Sequence, residues 1–108
     1  MSAKWEVFID NLQDEATTLI KDELKTLILN AKDDSSAFIQ RQGEKLELYL
    51  NQLADGSITK DQFEGYVTDI RDLTKMQSLK MSVARKASAQ RLAKGITKLV
   101  IKGLMAAL

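Results

Sequence analysis

Three lysines near the C-terminal end of the sequence have a spacing that suits binding. Lys94, Lys98 and Lys102 are separated by steps of four residues, so on a helix they form one row of positive charge. Such a row attracts anionic groups, which include the headgroups of a membrane surface and the phosphates of a nucleic acid, and basic amphipathic helices are also targets of partner proteins that form a groove. These residue types at this spacing therefore predict electrostatic recognition.

The sequence offers little that could support catalysis. It contains no His and no Cys, which excludes imidazole bases, thiol nucleophiles and zinc sites built on those ligands. Acidic pairs that share a helical face are common on solvated helices. The chain has three of them: Asp10 with Asp14, Glu44 with Glu47, and Asp69 with Asp72. We therefore expect a protein that is not an enzyme and that has no metal site and no cofactor.

One short segment is similar to the middle of an EF-hand calcium loop. Asp55, Gly56 and Ile58 stand in the order that such a loop requires, with the glycine at the sixth position. In that register the third position is Leu53 and the twelfth is Gln62, so a carboxylate ligand and the bidentate glutamate are both missing. We expect this segment to end one helix and start the next one, and not to bind calcium.

The same segment predicts a tight helical hairpin at about residues 54–59. Gly56 suits the left-handed residue that ends a helix. Thr59 with Gln62 three residues later matches a capping box. Ile58 just before the cap and Phe63 at the fourth helical position match a hydrophobic staple. These local features agree on one turn between two helices.

Apolar residues recur at three- and four-residue steps along most of the chain, and there is no Pro and only 5 Gly to interrupt helices. The pattern predicts an all-α fold of three or four helices in a single domain over residues 1–108. The first stripe, from Ala3 to Ala31, predicts one long helix or two collinear helices. The polar run 33–36 predicts the start of the next helix.

The last part of the chain is harder to divide. The apolar stripe of the third predicted helix runs from Phe63 through Met76 and Leu79 to Val83, and we expect Phe63 and Met76 to belong to the core. A single helix from residue 59 to 107 would greatly exceed the usual helix length. We therefore expect a break near Ser88, with a kink or linker near 85–91 before a C-terminal helix over 92–107.

Charge is distributed unevenly along the sequence. Residues 1–79 contain nine basic and fifteen acidic side chains, whereas residues 80–108 contain seven basic side chains and no acidic one. The lysine row lies opposite an apolar stripe, so the predicted C-terminal helix is basic and amphipathic. The contact face that we predict consists of that stripe and that row: Leu92, Lys94, Ile96, Lys98, Leu99, Val100, Lys102 and Leu104.

These features favour a non-catalytic helical interaction or assembly module that uses this face to contact a protein partner. Exposed apolar area is a liability in a monomer, so we expect burial against a second copy in a homo-oligomer. One alternative is peripheral binding to an anionic membrane surface through the same helix. Another is non-specific nucleic-acid binding by the basic tail, although no aromatic residue that could stack on bases follows Tyr66.

A simpler interpretation is that the lysines are only a solvated surface, neutralised by the acidic part of the same chain.

Residues 1–20 mix apolar and acidic side chains and lack the continuous apolar region of a signal peptide. The apolar segment 96–108 has two lysines and is shorter than the about 20 residues that span a bilayer. We therefore expect a cytoplasmic protein.

Overall fold

A computed structural model describes residues 3–108, in which all regular structure is helical. The helices are α1 (Lys4–Asp10), α2 (Glu15–Lys32), α3 (Ala37–Asp55), α4 (Lys60–Ser78) and α5 (Val83–Gly95). Helix α5 continues with helical backbone angles into a π-helix (Ile96–Leu104) and a last α-helical turn (Met105–Ala107). We call residues 83–107 the C-terminal helix. The all-α prediction is confirmed, with five helices in place of three or four.

The N-terminal stripe forms two antiparallel helices, which corrects the prediction of one long helix or two collinear ones. The link between α1 and α2 contains Gln13, whose φ of 55° is in the left-handed region. Beside the link, Asp10 pairs with Lys21 at 2.8 Å, and farther from it Glu6 pairs with Lys25 at 3.7 Å. The residue of α1 that is farther from the link pairs with the residue of α2 that is also farther from it. The two helices therefore run in opposite directions, and the chain folds back on itself.

We expect Gln13→Gly to raise the free energy of unfolding by up to about 1 kcal/mol. A left-handed backbone costs a residue with a Cβ atom about 1–2 kcal/mol, whereas glycine adopts it freely at the cost of a more flexible unfolded chain. Urea unfolding followed by far-UV circular dichroism measures the change. Gln13→Ala is the control, and it should change stability little because alanine keeps the Cβ atom. A glycine variant less stable than the alanine variant would contradict the left-handed link.

The predicted hairpin between α3 and α4 is confirmed. Helix α3 ends at Asp55, and Gly56 follows with a φ of 81°. The capping box is formed in both directions. The backbone N–H of Gln62 donates to Thr59 Oγ1 at 3.1 Å, and the backbone N–H of Thr59 donates to Gln62 Oε1 at 2.9 Å. The predicted start of α3 is also confirmed, since the Ser36 hydroxyl oxygen caps its first turn.

The break in the last part of the chain lies at residues 79–82, which corrects the prediction of a break near Ser88. Residues 85–91, where we expected a kink or linker, belong to α5. This segment consists mostly of Ala, Arg, Lys and Gln, which are good helix formers. Ser82 occupies the N-cap position, so the C-terminal helix begins at Val83 and not at Leu92.

The C-terminal helix packs against α2 and α4 and completes the core. Two of its glycines allow α2 to come close. A Cβ atom at Gly95 would lie 2.7 Å from the Leu27 side chain, and one at Gly103 would lie 2.8 Å from that of Ile20. Among the described residues, no helix is both long enough and apolar enough to cross a membrane.

Candidate functional site

The apolar half of the predicted contact face lies inside the protein. Its five residues are between 0% and 7% exposed, and they belong to the core formed with the other helices. They are Leu92, Ile96, Leu99, Val100 and Leu104. We expected these side chains to face a partner, but in this structure they contact the protein's own core. An exposed apolar stripe on this helix therefore no longer supports a homo-oligomer.

The lysine half of the predicted face is exposed and is larger than the sequence indicates. Lys94, Lys98 and Lys102 line an open groove of about 330 Å³ together with Thr97 and with Lys75 of α4. We call the four lysines the basic ridge. Lys75 joins the ridge only because α4 packs beside the C-terminal helix, so no spacing in the sequence could have identified it.

None of the ridge lysines has an acidic partner within ion-pair distance in residues 3–108. The five ion pairs of this part of the chain involve only residues that precede Leu73. Asp72 is the last acidic residue in the sequence, and eight basic residues follow it. Glu23 of α2 lines an adjoining groove, which it shares with Arg91, Lys94 and Lys98. Direct ion pairing among residues 3–108 therefore does not neutralise the ridge.

Three exposed apolar side chains lie where α4 ends and α5 begins. Met76, Leu79 and Val83 are 64%, 76% and 88% exposed, respectively, and we call them the apolar corner. Met76 was expected in the core, but the side of α4 that is buried carries Phe63, Val67 and other residues. The basic residues nearest to the corner in sequence are Lys75, Lys80, Arg85 and Lys86.

A second candidate site lies between α3 and α4. The rings of Tyr49 and Tyr66 stack with centroids 4.8 Å apart, and both line a small cavity that also includes Gln42. Gln42 is buried, and its side-chain oxygen has no hydrogen-bond partner among the described residues. The cavity volume of about 100 Å³ is below the roughly 300 Å³ at which ligand pockets begin. The basic ridge is therefore the stronger candidate.

The segment that is similar to a calcium loop is used by the turn itself. The Asp55 carboxylate accepts hydrogen bonds from the Ser57 hydroxyl and, at 2.9 Å, from the Ser57 amide. These bonds, led by that from the hydroxyl, hold the pKa of Asp55 below its usual value, and Lys4 at 3.8 Å adds to the effect. In residues 3–108, no three acidic side chains come together as a metal-binding group would require.

The chain was compared with protein-family models, with curated proteins and with solved structures, and none of the three comparisons found a match. What this protein binds is therefore inferred from its own surface chemistry.

Proposed function

We propose that this protein is a non-catalytic interaction module that binds an anionic partner through the basic ridge. The observation that carries the proposal is the groove in which Lys75 from α4 joins three lysines of the C-terminal helix, with no acidic partner within 4 Å in the described part of the chain. Unpaired cations gathered on one surface raise the local concentration of anions and speed their association.

The C-terminal helix remains the contact element, but its lysine side makes the contact in place of its apolar side. The predicted apolar stripe is buried, so the part of the predicted contact face that is available to a partner is the lysine row. Contacts of this kind are steered by charge and weaken as salt screens them. Binding that depends on the ridge should therefore fall as the salt concentration rises.

The test is charge reversal of the ridge in the full-length protein, as Lys94→Glu, Lys98→Glu and Lys102→Glu combined. The matched control reverses three exposed basic residues that lie outside the ridge and form no ion pair in residues 3–108: Arg41→Glu, Lys45→Glu and Lys60→Glu. Both variants change the net charge equally, so a difference between them reports position and not total charge. Far-UV circular dichroism checks that each variant folds.

Two anionic probes are used, namely phosphatidylcholine vesicles that contain phosphatidylserine, and duplex DNA of mixed sequence. A lysine near an anionic lipid surface contributes about 1 kcal/mol to binding. Because the ridge variant loses three lysines, we expect it to bind the anionic vesicles about a hundredfold more weakly, or to bind duplex DNA more weakly, and we expect the control to stay close to wild type. Equal loss in both variants, or no loss in the ridge variant, would overturn the proposal.

A further inference from the structure

The apolar corner indicates which anionic partner the ridge meets, in an inference that rests on the proposed function. We infer that the partner is the surface of an anionic lipid bilayer and that Met76, Leu79 and Val83 insert into it. Side chains that are 64–88% exposed at a helix joint leave apolar area in water. A bilayer surface offers both an apolar layer that can take up these side chains and the negative charge that attracts lysines.

Val83 of the corner and Lys94 of the ridge lie on the same side of the C-terminal helix. Val83 and Lys94 are eleven residues apart within α5, which is close to three turns of 3.6 residues, so both side chains point in nearly the same direction. Along the helix axis they are about 16 Å apart. Lys75 of α4 lies four residues, about one helical turn, before Leu79, the residue that caps the end of α4. One flat surface along the C-terminal helix can therefore contact the corner and the ridge together.

Charge around the corner distinguishes a bilayer from a second copy of the chain. Lys75, Lys80, Arg85 and Lys86 are the basic residues closest to the corner in sequence, and no acidic residue follows Asp72. A symmetric dimer through the corner would bring these positive groups against their own copies. An anionic bilayer presents the opposite charge to every one of them.

A nucleic acid suits the corner less well than a bilayer does. Proteins that bind single strands through stacking use aromatic side chains, whereas the corner consists of aliphatic and thioether side chains. Duplex phosphates would attract the lysines but would leave the apolar corner in water. Only a lipid bilayer matches both the basic ridge and the apolar corner, so the two surfaces together favour a bilayer over a nucleic acid.

The first experiment measures vesicle flotation of the full-length protein at low and at physiological salt. The corner variant combines Leu79→Ser with Val83→Ser. Its matched control combines Leu19→Ser with Leu29→Ser, which removes two other leucines, 69% and 50% exposed, on α2. We expect the corner variant to bind phosphatidylserine vesicles about tenfold more weakly than wild type at physiological salt, where screening weakens the lysines' contribution. The control should bind as wild type does.

The second experiment detects insertion directly. In Leu79→Trp, the new indole should be quenched by brominated lipid when phosphatidylserine vesicles are added, and not with phosphatidylcholine alone. The only native tryptophan, Trp5, is buried, so the wild-type protein provides the background. Quenching that requires anionic lipid, together with weaker binding by the corner variant, would support insertion.

The outcomes separate this inference from the proposed function. Binding that needs the ridge, but leaves the tryptophan at position 79 unquenched, would overturn insertion and leave the ridge proposal intact. Binding that needs the corner, but not the ridge, would overturn the ridge proposal and support insertion. Ridge-dependent binding to duplex DNA without vesicle binding would overturn the lipid inference, as would self-association in light scattering that Leu79→Ser with Val83→Ser abolishes.

Discussion

Replacing Val100 with glutamate is expected to lower the free energy of unfolding by about 4 kcal/mol or more. Val100 is completely buried in the π-helical part of the C-terminal helix, which packs against α2 and α4. The substitution removes a buried apolar side chain, worth roughly 1.5–3 kcal/mol, and places a carboxylate in the core. Burying an unpaired charge is among the few single changes that reach this size. Urea unfolding followed by far-UV circular dichroism measures the loss.

Lys98→Glu is the matched control, because it introduces the same residue two positions earlier on the exposed side of the helix. We expect the stability of this variant to stay within roughly 0.5 kcal/mol of wild type, as for most surface substitutions. If Val100→Glu unfolded at the same urea concentration as wild type, the C-terminal helix would not be part of the core. The apolar face that the sequence analysis proposed for partner binding would then be accessible.

The hairpin was predictable because each capping and turn feature that forms it acts between residues close in sequence. Gly56 ends α3 through its own backbone conformation, and Thr59 and Gln62 cap α4 across three residues. Interactions of this range depend little on the rest of the fold, so the sequence contains all that they require. The start of α3 at Ser36 was predictable for the same reason.

The two errors in dividing the chain into helices have a common cause. Periodicity of apolar residues indicates helix, but it continues across a link that contains neither Gly nor Pro. The links at residues 11–14 and 79–82 are of this kind. At Gln13 the left-handed backbone occurs in a residue type that does not favour it, so residue type alone does not predict the turn between α1 and α2.

The candidate site was only partly predictable. The lysine row on the C-terminal helix followed from spacing and is exposed as expected. An amphipathic pattern, however, is the same whether the apolar side packs on its own domain or on a partner, so the burial of Leu99 and Val100 depended on tertiary packing. The same packing added Lys75 to the ridge. Leu79 is exposed because α4 ends at Ser78, so Leu79 does not continue the buried side of that helix.

Close packing of α3 on α2 explains why Gly43→Ala should lower the free energy of unfolding, by up to about 2 kcal/mol. Gly43 is buried where α3 meets α2, and a Cβ atom there would lie 2.7 Å from the Cβ atom of Ala31, whereas carbon atoms in contact prefer about 3.5–4.0 Å. Both atoms are fixed to backbone, so the helices themselves would have to separate. Overpacking costs typically 1–3 kcal/mol. Alanine's higher helix propensity gains about 1 kcal/mol, and we expect the cost of overpacking to exceed this gain.

Gly65→Ala tests the same substitution where nothing opposes it. Gly65 is exposed within α4, and a Cβ atom added there has no neighbour within 4 Å, so we expect stability to rise by about 1 kcal/mol. Adding Ala31→Gly to Gly43→Ala removes the clashing atom, so the double variant should be more stable than the sum of the single changes predicts. If Gly43→Ala and Gly65→Ala stabilised the protein equally, α2 and α3 could not approach as closely as the 2.7 Å distance requires.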